Sequence, residues 1–86
     1  MNREKAIIIF QSNRKKIQAD IEIPLEITAT ELVIALNAAY DLGIDTSDIK
    51  NCYLKSEAPI ALLRGNKTLA QFGIRNGSVI TDAEQG

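Results

Sequence analysis

The sequence predicts an α+β fold in which one helix lies across a mixed sheet of about five strands. Short apolar runs with strand character flank a single amphipathic helix, turn signals separate these runs, and a further strand closes the chain. The 86 residues allow one domain with a modest core. Residues 5–82 are expected to form this core, and residues 83–86 a short flexible tail.

The first two strands are predicted to form a hairpin. The run KAIIIFQS is β-branched and aromatic, which favours a strand. The run IQADIEIP alternates apolar and polar residues, as a strand with one solvent-exposed face does. Pro24 ends this second strand because proline has no N–H to donate to the sheet.

A helix of about 14 residues is predicted next. Thr28 and Glu31 fit a capping box at its start, and Gly43 is placed to end it as a left-handed cap. Apolar residues recur between them at helical spacing, and Ile34 falls on the outward side. NCYLKS and IALLRG are further predicted strands, NKTLAQFGI is a single helical turn, and NGSVITD is the closing strand. A right-handed crossover favours a closing strand parallel to the first, in the centre of the sheet.

This order of elements, with the stretch LLRGNKTLAQFGIRNGSVI, resembles the β-grasp fold of ubiquitin-like proteins. More narrowly, the chain resembles the YukD/EsaB-like proteins encoded with bacterial type VII secretion systems. The matching features are Pro24, the helix core LVIAL, the helix exit LGI and the run from Gly73 to Ser78. The resemblance implies a cytoplasmic accessory or regulatory protein that is neither an enzyme nor conjugated. It also implies a protein partner, such as a cytoplasmic domain of a membrane-anchored secretion subunit.

Composition narrows the expected functions. The net charge of −1, from 10 basic and 11 acidic residues, argues against nucleic acid or an anionic membrane surface as a partner. No apolar run is long enough to span a membrane or to form a signal peptide, which favours the cytoplasm. The chain has no histidine, the commonest general base and metal ligand. Neither enzymatic activity, nor a cofactor, nor a metal site is therefore expected.

The other candidate sites are interpreted as structural. Cys52 is the single cysteine, and it lies in a predicted strand on the side assigned to the core. Asp45 and Asp48 are interpreted as caps of a turn rather than as a catalytic pair. The basic turn from Asn13 to Lys16 is interpreted as a solvated hairpin turn, with an acidic partner or a phosphate as the alternative.

The terminal Gly86 raises a second candidate function. Ubiquitin-like modifiers and sulfur carriers are activated at a C-terminal glycine on a slim tail, for which a glycine pair is suited because it lacks Cβ atoms. Here Gln85 precedes the last glycine, which disfavours activation. A modifier or sulfur carrier is thus the alternative to a binding module, and a generic β-grasp interaction domain is a third.

The predicted binding site is an apolar patch on the face of the sheet that the helix leaves open. The first strand is apolar on both sides, so its orientation has to be chosen. Setting Ile7 and Ile9 toward the helix, in phase with Ile21 of the second strand, turns the alternate residues outward. The outward patch then consists of Ile8, Phe10, Tyr53 and Ile80. Such a patch is typical of a protein-binding surface, with self-association or cover by the N-terminal segment as the alternative.

Overall fold

The structure is a computed structural model that describes residues 4–82, apart from the side chains of residues 50 and 51. Its strands are β1 (Lys5–Ser12), β2 (Ile17–Pro24), β3 (Leu54–Glu57), β4 (Ala61–Leu63) and β5 (Val79–Asp82). Its α-helices are α1 (Ala29–Tyr40) and the short α2 (Leu69–Phe72), and a 3₁₀ segment covers Thr46–Asn51. The predicted tail at residues 83–86, and Gly86 with it, lies outside the described residues.

The strands form one mixed sheet in the order β2-β1-β5-β3-β4. β5 lies in the middle, parallel to β1 and antiparallel to β3. The hairpins β1-β2 and β3-β4 are antiparallel. The predicted parallel pairing of the first and last strands is therefore confirmed. We call the face under α1 the inner face, and the opposite face the outer face.

The core lies between α1 and the inner face. Its buried hydrophobic members are Ala6, Ile8, Phe10, Ile23, Ala29, Leu32, Val33, Leu36, Leu42, Ile44, Cys52, Leu54, Leu63, Leu69, Ile74 and Ile80. The rings of Phe10 and Tyr40 have centroids 5.2 Å apart, which joins β1 to the last turn of α1. Burial of these apolar groups is the main source of stability.

The predicted orientation of β1 is wrong. Ile8 and Phe10 are fully buried on the inner face, whereas Ile7 is 53% exposed on the outer face. In the hairpin, Ile8 lies opposite Ile21, and directly opposed residues share a face. The turn at residues 13–16 has an even number of residues. With this spacing, the even-numbered residues of β1 lie opposite the odd-numbered, apolar residues of β2, so both sets share the face that meets the helix. Ile80 is paired with Phe10 across β1-β5 and is buried with it.

Both helices begin with a capping box. The Thr28 hydroxyl accepts a hydrogen bond from the Glu31 N–H, and the Glu31 carboxylate accepts one from the Thr28 N–H, both at 3.1 Å. The predicted box is therefore confirmed. Thr68 and Gln71 form the same arrangement at the start of α2, which the sequence interpretation missed although the spacing is identical. A β-bridge between Thr28 and Thr68 holds the two helix starts together.

α1 ends earlier than predicted. Asp41, with φ of 52°, is the left-handed cap, rather than Gly43. The side chain of Asn37 accepts a hydrogen bond from the Ile44 N–H at 2.9 Å and donates one to the Ile44 carbonyl at 3.1 Å. This clamp turns the chain away from the helix axis directly after Asp41.

Candidate protein-binding surface

The four residues of the predicted patch do not form one exposed surface. Ile8, Phe10 and Ile80 are 0% exposed because they belong to the core beneath α1. Tyr53 is half-buried just before β3, where it follows the buried Cys52. The predicted outward position of the three core residues is wrong, and the outer face presents a different set of side chains.

An apolar patch does lie in the middle of the outer face. Ile7 on β1 is 53% exposed. Ile9 on β1 and Val79 on β5 are half-buried and paired with each other across the parallel contact. We call Ile7, Ile9 and Val79 the central patch. The even number of residues in the β1-β2 turn is the signal that assigns Ile7 and Ile9 to the outer face, and Val79 follows because it is paired with Ile9.

The turn formed by Asn76 and Gly77 positions the central patch. Oδ1 of Asn76 accepts a hydrogen bond from the Ile7 N–H at 2.8 Å, and the Gly77 N–H donates to the Ile7 carbonyl at 2.9 Å. Both backbone groups of Ile7 are therefore held. Gly77 has φ of 87°, a conformation that glycine adopts without the steric cost of a Cβ atom. The Asn-Gly pair thus suits both the turn and the contact with β1.

Acidic residues border the central patch along the row of paired residues that crosses it. Asp20 on β2 lies opposite Ile9, and Glu57 on β3 lies opposite Val79. Both carboxylate side chains are exposed. The outer face therefore presents an aliphatic centre with a negative charge on either side, an arrangement complementary to an apolar spot flanked by Lys or Arg.

The basic turn at residues 13–16 is fastened to the rest of the fold. The carboxylate of Asp82, buried at the end of β5, accepts hydrogen bonds from the Ser12 hydroxyl at 2.7 Å and from the Asn13 N–H at 3.0 Å. The guanidinium of Arg14 donates to the Leu42 carbonyl at 3.1 Å. One of the three cations of this turn therefore stabilises the turn itself.

Cys52 has a structural environment. It is 3% exposed, which confirms its predicted place in the core, although it ends the 3₁₀ segment before β3 instead of lying within a strand. Its S–H donates to the Asp45 carbonyl with an S–O distance of 3.2 Å. Burial raises the pKa of the Cys52 thiol, and the negative charges of Asp48 and Asp45 raise it further. Asp45 caps the 3₁₀ segment, and hydrogen bonds from the Ser47 side chain and backbone lower the pKa of its carboxyl group.

The Cys52 thiol is expected to react slowly while the protein is folded. Near pH 8, 5,5′-dithiobis(2-nitrobenzoic acid) should label it at least ~100-fold more slowly than in the urea-unfolded chain, because reaction needs the exposed thiolate. Equal labelling rates in the folded and unfolded protein would contradict the buried assignment.

The raised pKa of the Cys52 thiol also makes the free energy of unfolding depend on pH. The stability due to this thiol is fully present below its unfolded-state pKa, and it is lost as the pH rises through its folded-state pKa.

Two further features concern the described residues only. Between residues 4 and 82, no helix has the length and apolar character required to cross a bilayer. In the same part of the chain, no group of three or more His, Cys, Asp and Glu side chains is arranged to hold a metal ion.

Comparisons with known proteins agree with this architecture. Residues 7–81 match the family model described as WXG100 protein secretion system (Wss), protein YukD. No curated protein is significantly similar to the chain. The ubiquitin-like domain of tubulin-binding cofactor B has a similar structure, with a TM-score of 0.75, 17% sequence identity, and coverage of 99% of this chain and 97% of that one. The C-terminal ubiquitin-like domain of mouse tubulin-specific chaperone e is also similar, with a TM-score of 0.78, 13% identity, and coverage of 100% and 92%. At these identities the likeness establishes the fold alone, and it confirms the predicted ubiquitin-like β-grasp.

Proposed function

Because the chain belongs to the YukD family of the WXG100, or type VII, secretion system, we propose that it is a non-catalytic protein-binding module of that machine. As a single ubiquitin-like domain in the cytoplasm, it docks on a cytoplasmic domain of a membrane-anchored subunit. Membership of the family supports the link to the machine. The ubiquitin-like fold supports a role in protein interactions.

The central patch is the observation that carries this proposal. Ile7, Ile9 and Val79 expose part of their side chains on the face that α1 does not cover. Removing apolar surface from water gains roughly 25 cal/mol per Å², so a partner that covers these groups is favoured. The backbone of Ile7 is already held by the Asn76-Gly77 turn. Binding therefore costs little ordering entropy on this side of the interface.

The charges beside the patch specify the chemistry of the partner surface. Asp20 and Glu57 lie at the two ends of the row through Ile9 and Val79. The complementary surface has an aliphatic side chain at its centre and Lys or Arg on both sides. Association with such a surface weakens with salt, because the screening length shortens from about 10 Å at 0.1 M to about 3 Å at 1 M ionic strength.

Replacing Ile7 by Ser is expected to weaken binding to the cognate cytoplasmic domain at least about tenfold, because an apolar group at the centre of the interface is lost. Isothermal titration calorimetry with each purified cytoplasmic domain of the secretion membrane subunits measures this change. Ile34→Ser is the matched control, since Ile34 is 48% exposed on α1, away from the sheet, against 53% for Ile7. This control should bind like the wild type.

Two outcomes would count against the proposal in different ways. Wild-type affinity in the Ile7→Ser variant would remove the central patch as the docking surface. No binding of the wild-type protein to any of these cytoplasmic domains would reject docking on the machine altogether. Thermal unfolding followed by circular dichroism establishes that both variants are folded.

A further inference from the structure

β4 (Ala61–Leu63) is an edge of the sheet, since it pairs with β3 and ends the strand order. An edge strand offers its outward row of backbone N–H and C=O groups to another strand. The opposite edge, β2, carries exposed polar and charged side chains, namely Gln18, Asp20 and Glu22, which discourage such pairing. The residues of β4 are all apolar and supply no such charge.

Two large aliphatic side chains lie at the β4 edge. Ile60, in the turn before β4, is 91% exposed, and Leu62 is 44% exposed on the outer side. They line a shallow depression of about 410 Å³ together with Lys55, Ser56, Glu57 and Ala61. Single exposed leucines are ordinary on protein surfaces, whereas adjoining exposed aliphatic side chains at one edge of a sheet are typical of an interaction site.

The charges around this depression are complementary to those of a second copy. Lys55 lies opposite Leu62, in the middle of the β3-β4 hairpin. Glu57 ends β3 at the turn of the hairpin, and Arg64 follows β4 at the other end. When two β4 strands pair antiparallel about Leu62, Arg64 of each chain comes beside the Glu57 end of the other. The two leucines then meet at the centre.

We propose that the β4 edge pairs antiparallel with β4 of a second copy of this chain, with a two-fold axis at Leu62. The two five-stranded sheets join into one continuous sheet. The pairing is isologous, because each chain contributes the same residues. The strand is short, so the interface falls below the roughly 1,200 Å² of stable complexes, and the dimer is weak and reversible. The contact uses none of the central patch, and Glu57 is the one residue that borders both surfaces.

Sedimentation velocity between about 10 µM and 1 mM tests the dimer, since complexes with small interfaces dissociate in this range. The wild-type protein should shift from monomer toward dimer as its concentration rises. Leu62→Lys should raise the dissociation constant at least about tenfold, because two lysines face each other beside Lys55. Ile34→Lys is the matched control, with an exposure of 48% against 44% for Leu62, and should dimerise like the wild type.

A charge exchange tests the antiparallel register. Glu57→Lys and Arg64→Glu should each weaken the dimer several-fold, because each places like charges together across the two-fold axis. The double variant Glu57→Lys/Arg64→Glu restores the opposite-charge pairs, and its dissociation constant should return toward the wild-type value. Failure of the double variant to recover would overturn the proposed register.

Two other results would overturn the proposal as a whole. The first is a wild-type protein that stays monomeric up to about 1 mM, the upper end of the range in which weak complexes dissociate. If Leu62→Lys then also lost binding to a secretion-machine domain, the edge would serve that partner instead of a second copy. The other result is a dimer that Leu62→Lys leaves intact, which would place self-association on another surface. Circular dichroism spectra that match the wild type establish that each variant is folded.

Discussion

Replacing Ile8 by Ala is expected to lower the free energy of unfolding by about 2–5 kcal/mol. Ile8 is fully buried on β1, between β2 and β5 and beneath α1. Its removal loses the transfer free energy of the deleted methyl and methylene groups, and it leaves a cavity that the neighbouring side chains fill only in part. Urea unfolding at equilibrium, followed by circular dichroism, measures the change.

The adjacent Ile7 provides the control, because Ile7→Ala is the same chemical change one position along the strand. Ile7 is 53% exposed, so this variant should lose no more than about 1 kcal/mol. The pair also tests the orientation of β1 directly. A larger loss for Ile7→Ala than for Ile8→Ala would mean that the inner and outer faces of β1 are assigned the wrong way round.

Replacing Asp82 by Ala is expected to lower the free energy of unfolding by about 2–3 kcal/mol. The carboxylate of Asp82 accepts hydrogen bonds from the Ser12 hydroxyl and the Asn13 N–H, and Ser12 in turn accepts one from the Lys15 N–H at 3.1 Å. Removing the carboxylate leaves the buried Ser12 hydroxyl and the Asn13 N–H without their acceptor. Urea unfolding measures the loss, and hydrogen exchange of the Asn13 amide should become faster.

Asp82→Asn separates the two hydrogen bonds. The amide oxygen still accepts from the Asn13 N–H, while the amide nitrogen meets the Ser12 hydroxyl as a donor. This variant should therefore lose less stability than Asp82→Ala and should keep the Asn13 amide protected. A stability of Asp82→Ala within about 0.5 kcal/mol of the wild type would show that the buried network does not hold the turn.

Features that depend on neighbouring residues were predictable from the sequence. The alternation in β2 and the Thr28–Glu31 capping box each depend on spacings of two to three residues, and both are present in the structure. The parallel pairing of β1 and β5 was also predictable, because the handedness of the crossover restricts the topology. These signals are local or general, so one sequence is enough to read them.

The orientation of β1 was not predictable from its own residues. Ala6 to Phe10 are apolar on both sides, so alternation alone permits either face to be buried. Pairing across the hairpin decides the matter, because Ser12 lies opposite Ile17 and every earlier pair follows from this one. The wrong choice of face for β1 puts Ile80 of β5 on the outer face as well, because Ile80 is paired with Phe10 of β1. The predicted patch is wrong for this reason, and the central patch is the surface proposed in its place.

The exposed edge at Ile60 and Leu62 also depends on non-local order. IALLRG was predicted as a strand, and its pattern does not show whether a further strand covers it. Only the strand order places β4 at the edge and exposes these two side chains. The hydrogen bond of Asp82 also depends on non-local order, because Ser12, whose hydroxyl donates to its carboxylate, lies 70 residues away in the chain.

The central position of β5 has a consequence for synthesis on the ribosome. β5 is made after the other four strands, yet it is the strand that pairs with both β1 and β3. Without β5, the β1-β2 and β3-β4 hairpins have no strand between them, and the edges that β5 covers are unpaired. Completion of the sheet therefore requires β5, and a nascent chain that lacks it is expected to aggregate through these edges.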